Sequence, residues 1–98
     1  MSMPTIAAVL EIIARHKADF AEKYNVVRIG VFGSVARGQQ TEESDIDVAV
    51  EMEPDLFKRV ALKNELEVLF NRPVDVVRCS RTMNPQLRER IERETRYV

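Results

Sequence analysis

The sequence predicts a small α/β (α+β) domain in which helices flank a mixed β-sheet of about three strands. Two observations predict it: long segments with apolar residues at helical spacing alternate with short runs rich in valine and isoleucine. The chain has 98 residues, 45% of them hydrophobic, so one domain over residues 1–98 with one modest core is expected. The connections between the runs are long enough for parallel or mixed strand pairing, and a mixed sheet is favoured.

The first predicted element is an amphipathic helix of about five turns near the amino terminus. Pro4 suits its first turn, and Asn25 is expected to end it. The single histidine, His16, falls on the polar face and is assigned no role. The apolar face consists of Ile6, Val9, Leu10, Ile13, Phe20 and Tyr24.

Three strands are predicted along the rest of the chain. The first covers roughly Val26 to Phe32 and runs into a Gly33-Ser34 turn that should open a short helix. The second is Ile46 to Met52, where β-branched residues occupy alternate positions. The third is Val74 to Arg78, which carries one acid among valines.

Two more helices are predicted, one after the second strand and one after the third. One starts at Pro54 and Asp55 and ends at Asn71-Arg72-Pro73, with an i, i+4, i+7, i+8 pattern formed by Leu62, Leu66, Leu69 and Phe70. The last starts at Asn84-Pro85 and is mostly charged. Its predicted apolar contacts are Leu87, Ile91 and Val98.

Charge is unevenly distributed, although the formal net charge is only -1. Seven acids and no Lys or Arg lie between Gly38 and Phe57, whereas six arginines face three glutamates from Arg78 to the end. The near-neutral total argues against a general nucleic-acid coat protein, because backbone binding needs a basic excess. A solvated acidic loop and a solvated basic helix are the ordinary interpretation of such runs.

Cysteine usage and hydropathy predict a cytoplasmic protein. The single cysteine, Cys79, cannot form an internal disulfide and suits a small core or strand-end position. No run approaches the length or apolarity of a signal peptide or a membrane span. A cytoplasmic protein without a membrane partner is therefore expected.

The stretch from Val31 to Val50 carries the residues suited to chemistry. Asp45 and Asp47 are two apart at the start of the second predicted strand, so their side chains emerge on one face, roughly 6.5–7 Å apart along the backbone. Such a carboxylate pair is a hard-oxygen site for Mg²⁺, which substrate phosphates and water then complete.

The glycine-serine turn supplies the complementary half of such a site. Gly33 lets a phosphate approach the backbone, and the amides that follow it, with the Ser34 hydroxyl, direct donors at an anion. Arg37 lies one turn further, where its guanidinium could reach a phosphate or pair with a neighbouring acid. Carboxylates alone would repel a nucleotide, so the acids and the turn fit together only with a metal bound.

A third carboxylate, Asp75, lies in the third predicted strand. An unpaired carboxylate among valines is expensive unless the side chain reaches solvent or pairs with an arginine. Considered alone, Asp75 would be assigned to solvent or to such a pair. Beside a strand with two aspartates, we predict that it joins them.

The central stretch contains Gly33-Ser34-Val35-Ala36-Arg37-Gly38, then a short polar linker, then Ser44-Asp45-Ile46-Asp47. This composite resembles the signature of the nucleotidyltransferase superfamily related to DNA polymerase β. The resemblance is greatest to the minimal nucleotidyltransferases, the MNT proteins found beside HEPN-domain partners. A lone Gly-Ser or a lone Asp-x-Asp occurs by chance in many loops. The composite in this order, bracketed by two predicted strands, is specific.

The resemblance implies the polymerase β-like fold and a role for each motif position. The residues that it assigns to nucleotide binding are Gly33, Ser34, Arg37 and Ser44. Those that it assigns to catalysis and to binding of two Mg²⁺ ions are Asp45, Asp47 and Asp75. The third of these carboxylates could also accept the proton of an acceptor hydroxyl.

The resemblance further implies an antitoxin that transfers AMP from ATP to a hydroxyl, such as that of a tyrosine, of a HEPN ribonuclease toxin and so silences it. Two alternatives remain open. One is a non-catalytic antitoxin that acts by binding its partner.

The other alternative is nucleotidyl transfer to RNA or a small molecule. Direct nucleic-acid binding, the less favoured hypothesis, would use Arg78, Arg81, Arg88, Arg90, Arg93 and Arg96. If the last helix instead docked a protein, its contacts would be Leu87, Ile91, Tyr97 and Val98. Packing of these residues on their own domain is favoured over docking.

Overall fold

The computed structural model describes residues 5–39, 45–80 and 82–98. The predictions for Pro4, Ser44 and Arg81 concern residues outside these ranges. The described helices are α1 Ile6–Tyr24, α2 Gly33–Ala36, α3 Leu56–Phe70 and α4 Pro85–Glu94. The described strands are β1 Arg28–Phe32, β2 Ile46–Glu51, β3 Val74–Arg78 and β4 Arg96–Tyr97.

The strands form one mixed sheet in the order β3-β2-β1-β4. β1 pairs antiparallel with β2 and with β4, whereas β2 pairs parallel with β3. The predicted mixed α/β fold is therefore confirmed. β1 begins at Arg28, two residues later than predicted, and β2 ends one residue earlier, at Glu51.

Local capping explains where the long helices begin and end. The Thr5 hydroxyl accepts a hydrogen bond from the Ala8 amide at 3.1 Å, and the Asp55 carboxylate accepts one from the Lys58 amide at 3.0 Å. α1 and α3 both end at an asparagine in the left-handed conformation, Asn25 with φ 56° and Asn71 with φ 52°. These caps confirm the predicted ends of both helices and the predicted start of α3 at Asp55.

The end of the chain departs from the prediction of a continuous last helix. α4 ends at Glu94, and the chain then extends into β4, which pairs with β1. The prediction that Val98 belongs to that helix is wrong, because the Val98 amide donates to the Ile29 carbonyl at 3.1 Å and its side chain packs against the main core. Two residues of strand are too few to show an alternating pattern.

A glycine in β1 makes room for this final strand. A Cβ on Gly30 would lie 2.6 Å from the Arg96 carbonyl oxygen and 2.7 Å from Cγ2 of Thr95. Any side chain at this position would therefore push β4 away from β1.

The sheet is covered on both faces. Apolar side chains of α1 and α3 pack on one face and form the main core, together with Ile29, Val31, Val48 and Val50. On the other face, Ile91 of α4 joins Phe32 and Ala49 in a smaller cluster. Because side chains alternate along a strand, neighbouring residues of β2 serve different faces.

Candidate active site

The register of the sheet brings the three predicted carboxylates to one region. Asp47 lies opposite Asp75 in the parallel pair of β2 and β3, and Asp45 comes directly before β2. Residues two apart share a face, so Asp45 and Asp47 lie on the same side of the sheet as Ala49, the side that α4 covers. Asp75 likewise shares a face with Val77 of the smaller cluster.

Gly33 lies directly beneath the Asp47 carboxyl group. Its φ of +77° is in the left-handed region that favours glycine. A Cβ at this position would overlap Oδ2 of Asp47 and would lie 3.0 Å from its Cγ. The glycine-serine turn and the second motif aspartate are thus in contact, which requires a residue without a side chain.

The turn continues into α2, a helix of four residues. The Arg37 amide donates to the Gly33 carbonyl at 3.1 Å, and the Gln39 amide donates to the Ser34 carbonyl at 2.8 Å. Ser34 is partly exposed and Arg37 is exposed. These bonds fix the backbone of the turn and leave both side chains accessible beside the carboxylates.

The pKa of the Asp47 carboxyl group is raised above its ordinary value. Its burial raises its pKa, and the nearby charges of Asp75 and Asp45 raise that pKa further. Arg90 and Arg37 lower it without cancelling the rise. The site therefore holds excess negative charge that a bound cation would neutralise.

The aspartates do not form a closed metal cage by themselves. In the part of the chain that the structure describes, no group of three or more His, Cys, Asp or Glu side chains is arranged to hold a metal ion. Mg²⁺ usually takes one or two protein carboxylates, and water and substrate phosphates fill its other positions. Asp45 and Asp47 therefore suit a magnesium ion that binds together with a nucleotide.

A network that the sequence analysis missed connects α2 to the end of α4. Glu94, whose side chain is 14% exposed, accepts hydrogen bonds from Arg37 Nη1 at 2.5 Å and from Arg90 Nε at 2.9 Å. The guanidinium of Arg37, with that of Arg90, holds the pKa of Glu94 below its usual range. Arg37 Nε also donates to Gln39 Oε1 at 2.9 Å.

The network places two guanidinium groups beside the carboxylates. The spacing of Arg90 and Glu94 is that of an i, i+4 helix pair, which the sequence does show. Their contact with Arg37, 57 residues away from Glu94, depends on α4 packing across the sheet and leaves no local pattern. Arg90, which was assigned only to the basic tail, is thus part of the candidate site.

Two further arginines of the basic tail form ion pairs within α4. Arg88 pairs with Glu92 at 3.0 Å, and Arg93 pairs with Glu89 at 3.5 Å. Arg78 donates to the Met52 carbonyl at 3.3 Å. These pairs agree with a solvated charged helix, as the ordinary interpretation of the charge pattern predicted.

The remaining unusual residues lie away from the carboxylates. A ring nitrogen of His16 lies 2.9 Å from the Ile12 carbonyl, within α1. Cys79 follows β3 at the end remote from Asp75, and burial raises the pKa of its thiol, which favours the neutral form. Within the described residues, no helix has both the length and the apolar character needed to span a bilayer.

A family model described as a nucleotidyltransferase domain matches residues 13–98. The chain belongs to the nucleotidyltransferase family. The match includes the glycine-serine turn, all three aspartates and α4. It confirms the resemblance that the motif indicated, and the chain is an enzyme of the nucleotidyltransferase class.

Similar proteins support the same family and fold. This nucleotidyltransferase is 37% identical over 100 residues to the protein adenylyltransferase MntA of Thermococcus cleftensis, with 100% of both chains covered. A solved structure described as a candidate minimal nucleotidyltransferase has 35% identity and a TM-score of 0.76, with 100% of both chains covered. A toxin-antitoxin crystal structure with AMP-PNP has 27% identity and a TM-score of 0.72, covering 89% of this chain and 69% of that chain.

Proposed function

We propose that this nucleotidyltransferase transfers AMP from ATP to a hydroxyl of a HEPN-type toxin and so acts as its antitoxin. One observation carries the proposal: the Asp47 carboxyl lies on the Gly33 turn and opposite Asp75, so metal and phosphate ligands converge. The likeness to MntA supports a protein acceptor. The likeness to a toxin-antitoxin structure with AMP-PNP supports an adenosine triphosphate and a toxin partner.

The donor chemistry of the site fits two Mg²⁺ ions held by Asp45 and Asp47, with Asp75 at the side. When bound, Mg²⁺ offsets the charge of the triphosphate and lowers the pKa of an acceptor hydroxyl. The amides that follow Gly33 and the Ser34 hydroxyl would then bind the phosphates.

The transfer itself exchanges one phosphorus-oxygen bond for another. The acceptor oxygen attacks the α-phosphorus, the bond from that phosphorus to the bridging oxygen breaks, and pyrophosphate leaves. Asp75, which is exposed at the sheet edge, would take the hydroxyl proton. Arg37 and Arg90, both held by Glu94, are placed to stabilise charge on the leaving pyrophosphate.

The likeness to the protein adenylyltransferase MntA favours a protein acceptor over RNA. A non-catalytic antitoxin would need no alignment of carboxylates with a phosphate-binding turn. The geometry therefore supports a transferase over a non-catalytic antitoxin, and the likeness to MntA supports a protein acceptor.

The test uses the purified, unmodified HEPN toxin of the source organism, α-labelled ATP and Mg²⁺. Wild-type protein should label the toxin, and Asp47→Asn should reduce the labelling on the order of 10³-fold because a metal ligand is lost. Asp19→Asn, an exposed acid of α1, is the matched control and should label normally. Label on added RNA alone would support the RNA hypothesis, and a bound but unlabelled toxin would support the non-catalytic antitoxin.

A further inference from the structure

A surface groove of about 430 Å³ lies beside the candidate site. It runs between the amino-terminal half of α3, the outer part of β3 and the start of α4. Asp75 lines the groove and is also one of the three carboxylates of the candidate site. Its apolar lining is formed by Leu56, Val60, Val76, Val77, Met83 and Leu87.

The wall of the groove that α3 forms is unusually apolar for a surface. Leu56 and Val60 line the groove and are 61% and 47% exposed. Phe57 adjoins the groove, is 88% exposed and falls within the same helical turn. Isolated exposed residues such as Val68 need no explanation, but a contiguous apolar patch on a small domain indicates a surface that binds something.

The rim of the groove is basic. Arg59, Lys63 and Arg78 line it, against the single acid Asp75. Lys63 pairs with Glu67 at 3.1 Å, whereas the Arg59 guanidinium has no ion-pair or hydrogen-bond partner among residues 5–39, 45–80 and 82–98. An apolar groove with a basic rim is complementary to an apolar segment with acidic flanks.

The groove also leads towards the chemistry. In the sheet formed by the described residues, β3 pairs only with β2, so its outer edge is available to a partner. The register pairs Asp75 of β3 with Asp47 of β2. A segment lying along the groove therefore passes the carboxylate that would accept the hydroxyl proton.

We propose that this groove binds the acceptor protein through an apolar segment with acidic flanks and thereby delivers the hydroxyl to Asp75. The apolar side chains of that segment pack on Leu56, Phe57 and Val60, and its acidic residues meet Arg59. The inference rests on the proposed function, in which the acceptor is a protein, and it names the surface that selects that protein. It also explains how a domain of this size positions a macromolecular acceptor.

The test measures the affinity of the same unmodified HEPN toxin for variants of the groove. Phe57→Asp and Val60→Asp should each weaken binding at least about 10-fold, because each places a charge in an apolar contact. Val68→Asp is the matched control, since Val68 is an apolar residue of the same helix and is 81% exposed. It should change the affinity less than about 2-fold. Circular dichroism and the affinity for MgATP should be unchanged in all three.

A charge reversal gives the second measurement. Arg59→Glu should weaken toxin binding and make the remaining binding less sensitive to salt. Wild-type affinity in Phe57→Asp and Val60→Asp would overturn the proposal, as would equal losses in Val68→Asp. Loss of RNA binding or of self-association instead of toxin binding would assign the groove to another occupant and would also overturn it.

The outcomes separate this inference from the proposed function. If Asp47→Asn labels the toxin normally while the groove variants lose toxin binding, the assignment of the carboxylates fails and the docking groove stands. If the groove variants bind and label the toxin normally while Asp47→Asn does not label it, the transferase stands and the docking groove fails.

Discussion

The two faces of the sheet differ in how completely they are covered. On the face under α1 and α3, the β2 residues Ile46, Val48 and Val50 are 0% exposed. On the face under α4, Ala49 is also buried, but Asp47 is only partly buried. One strand therefore contributes one set of alternate side chains to the core and the other set to the candidate site.

Because of this difference, residues on one face mainly stabilise the fold, whereas residues on the other face form the candidate site. Burial of apolar side chains on the first face supplies most of the free energy of folding. The second face keeps charged side chains close together at a cost, since like charges repel. Substitutions on the first face should therefore change unfolding, whereas those on the second should change nucleotide and transfer chemistry.

The largest expected effect is on the first face. Leu66→Ala, at a side chain that is 0% exposed, should lower the free energy of unfolding by about 2–5 kcal/mol. Leu87→Ala, at a partly exposed residue of α4, should lower it by about 1–2 kcal/mol. Urea titrations of both variants measure this difference. Equal losses would contradict the view that the two faces contribute unequally.

The contact between Gly33 and Asp47 should be the most sensitive point of the second face. Gly33→Ala should reduce transfer on the order of 10²-fold, because the new Cβ displaces the carboxyl. Gly38→Ala is a matched control for backbone strain, since Gly38 has a φ of +72° and its Cβ would meet nothing within 4 Å. Both variants should lose similar stability in thermal melts. A similar loss of transfer in both would trace the effect to strain instead.

Loss of the Glu94 carboxylate, which binds both Arg37 and Arg90, should have a smaller effect. Glu94→Gln should weaken MgATP binding about 10-fold, because Arg37 and Arg90 each lose a charged partner. Glu92→Gln is the matched control, since Glu92 forms the same type of pair with Arg88 but is 64% exposed. Titration with a fluorescent ATP analogue measures both. Equal affinities in the two variants would remove Glu94 from the site.

The smallest effect is a pH dependence of stability. The pKa of Asp47 is raised above its ordinary value of 3.8, so the unfolded chain loses this proton first as pH rises. Wild-type protein in a chelating buffer should therefore lose stability relative to Asp47→Asn as pH rises from 3.8 through the raised pKa, and then level off. Below that window the two should melt alike. Melting temperatures measured across pH test this. If the ionised carboxylate were stabilising, wild-type protein would instead gain stability relative to Asp47→Asn as pH rises through this window.

Local patterns in the sequence predict much of this fold. The caps at Asn25, Asp55 and Asn84 are local signals, and each helix begins or ends at the predicted residue because a side-chain or backbone bond is made within a few positions. β3 likewise has its predicted limits, since Asn71-Arg72-Pro73 separates it from the preceding helix.

What the sequence could not predict depends on distant contacts. Gly30 has a role only because β4 packs against it, and β4 exists only because the chain turns back at Thr95. Glu94 resembles any other charged residue of α4 until the helix is placed beside α2. The sequence predicted the part of the candidate site that lies within the composite motif. It missed the part that α4 contributes, Arg90 and Glu94.

The position of β2 inside the sheet has a consequence for the timescales of this enzyme. β2 is paired on both sides, so its amides should exchange with solvent only when the whole domain unfolds. The Asp47 carboxyl is then carried on a slowly exchanging segment and needs no ordering when the nucleotide arrives. Rearrangement of this strand should therefore not limit the rate of turnover.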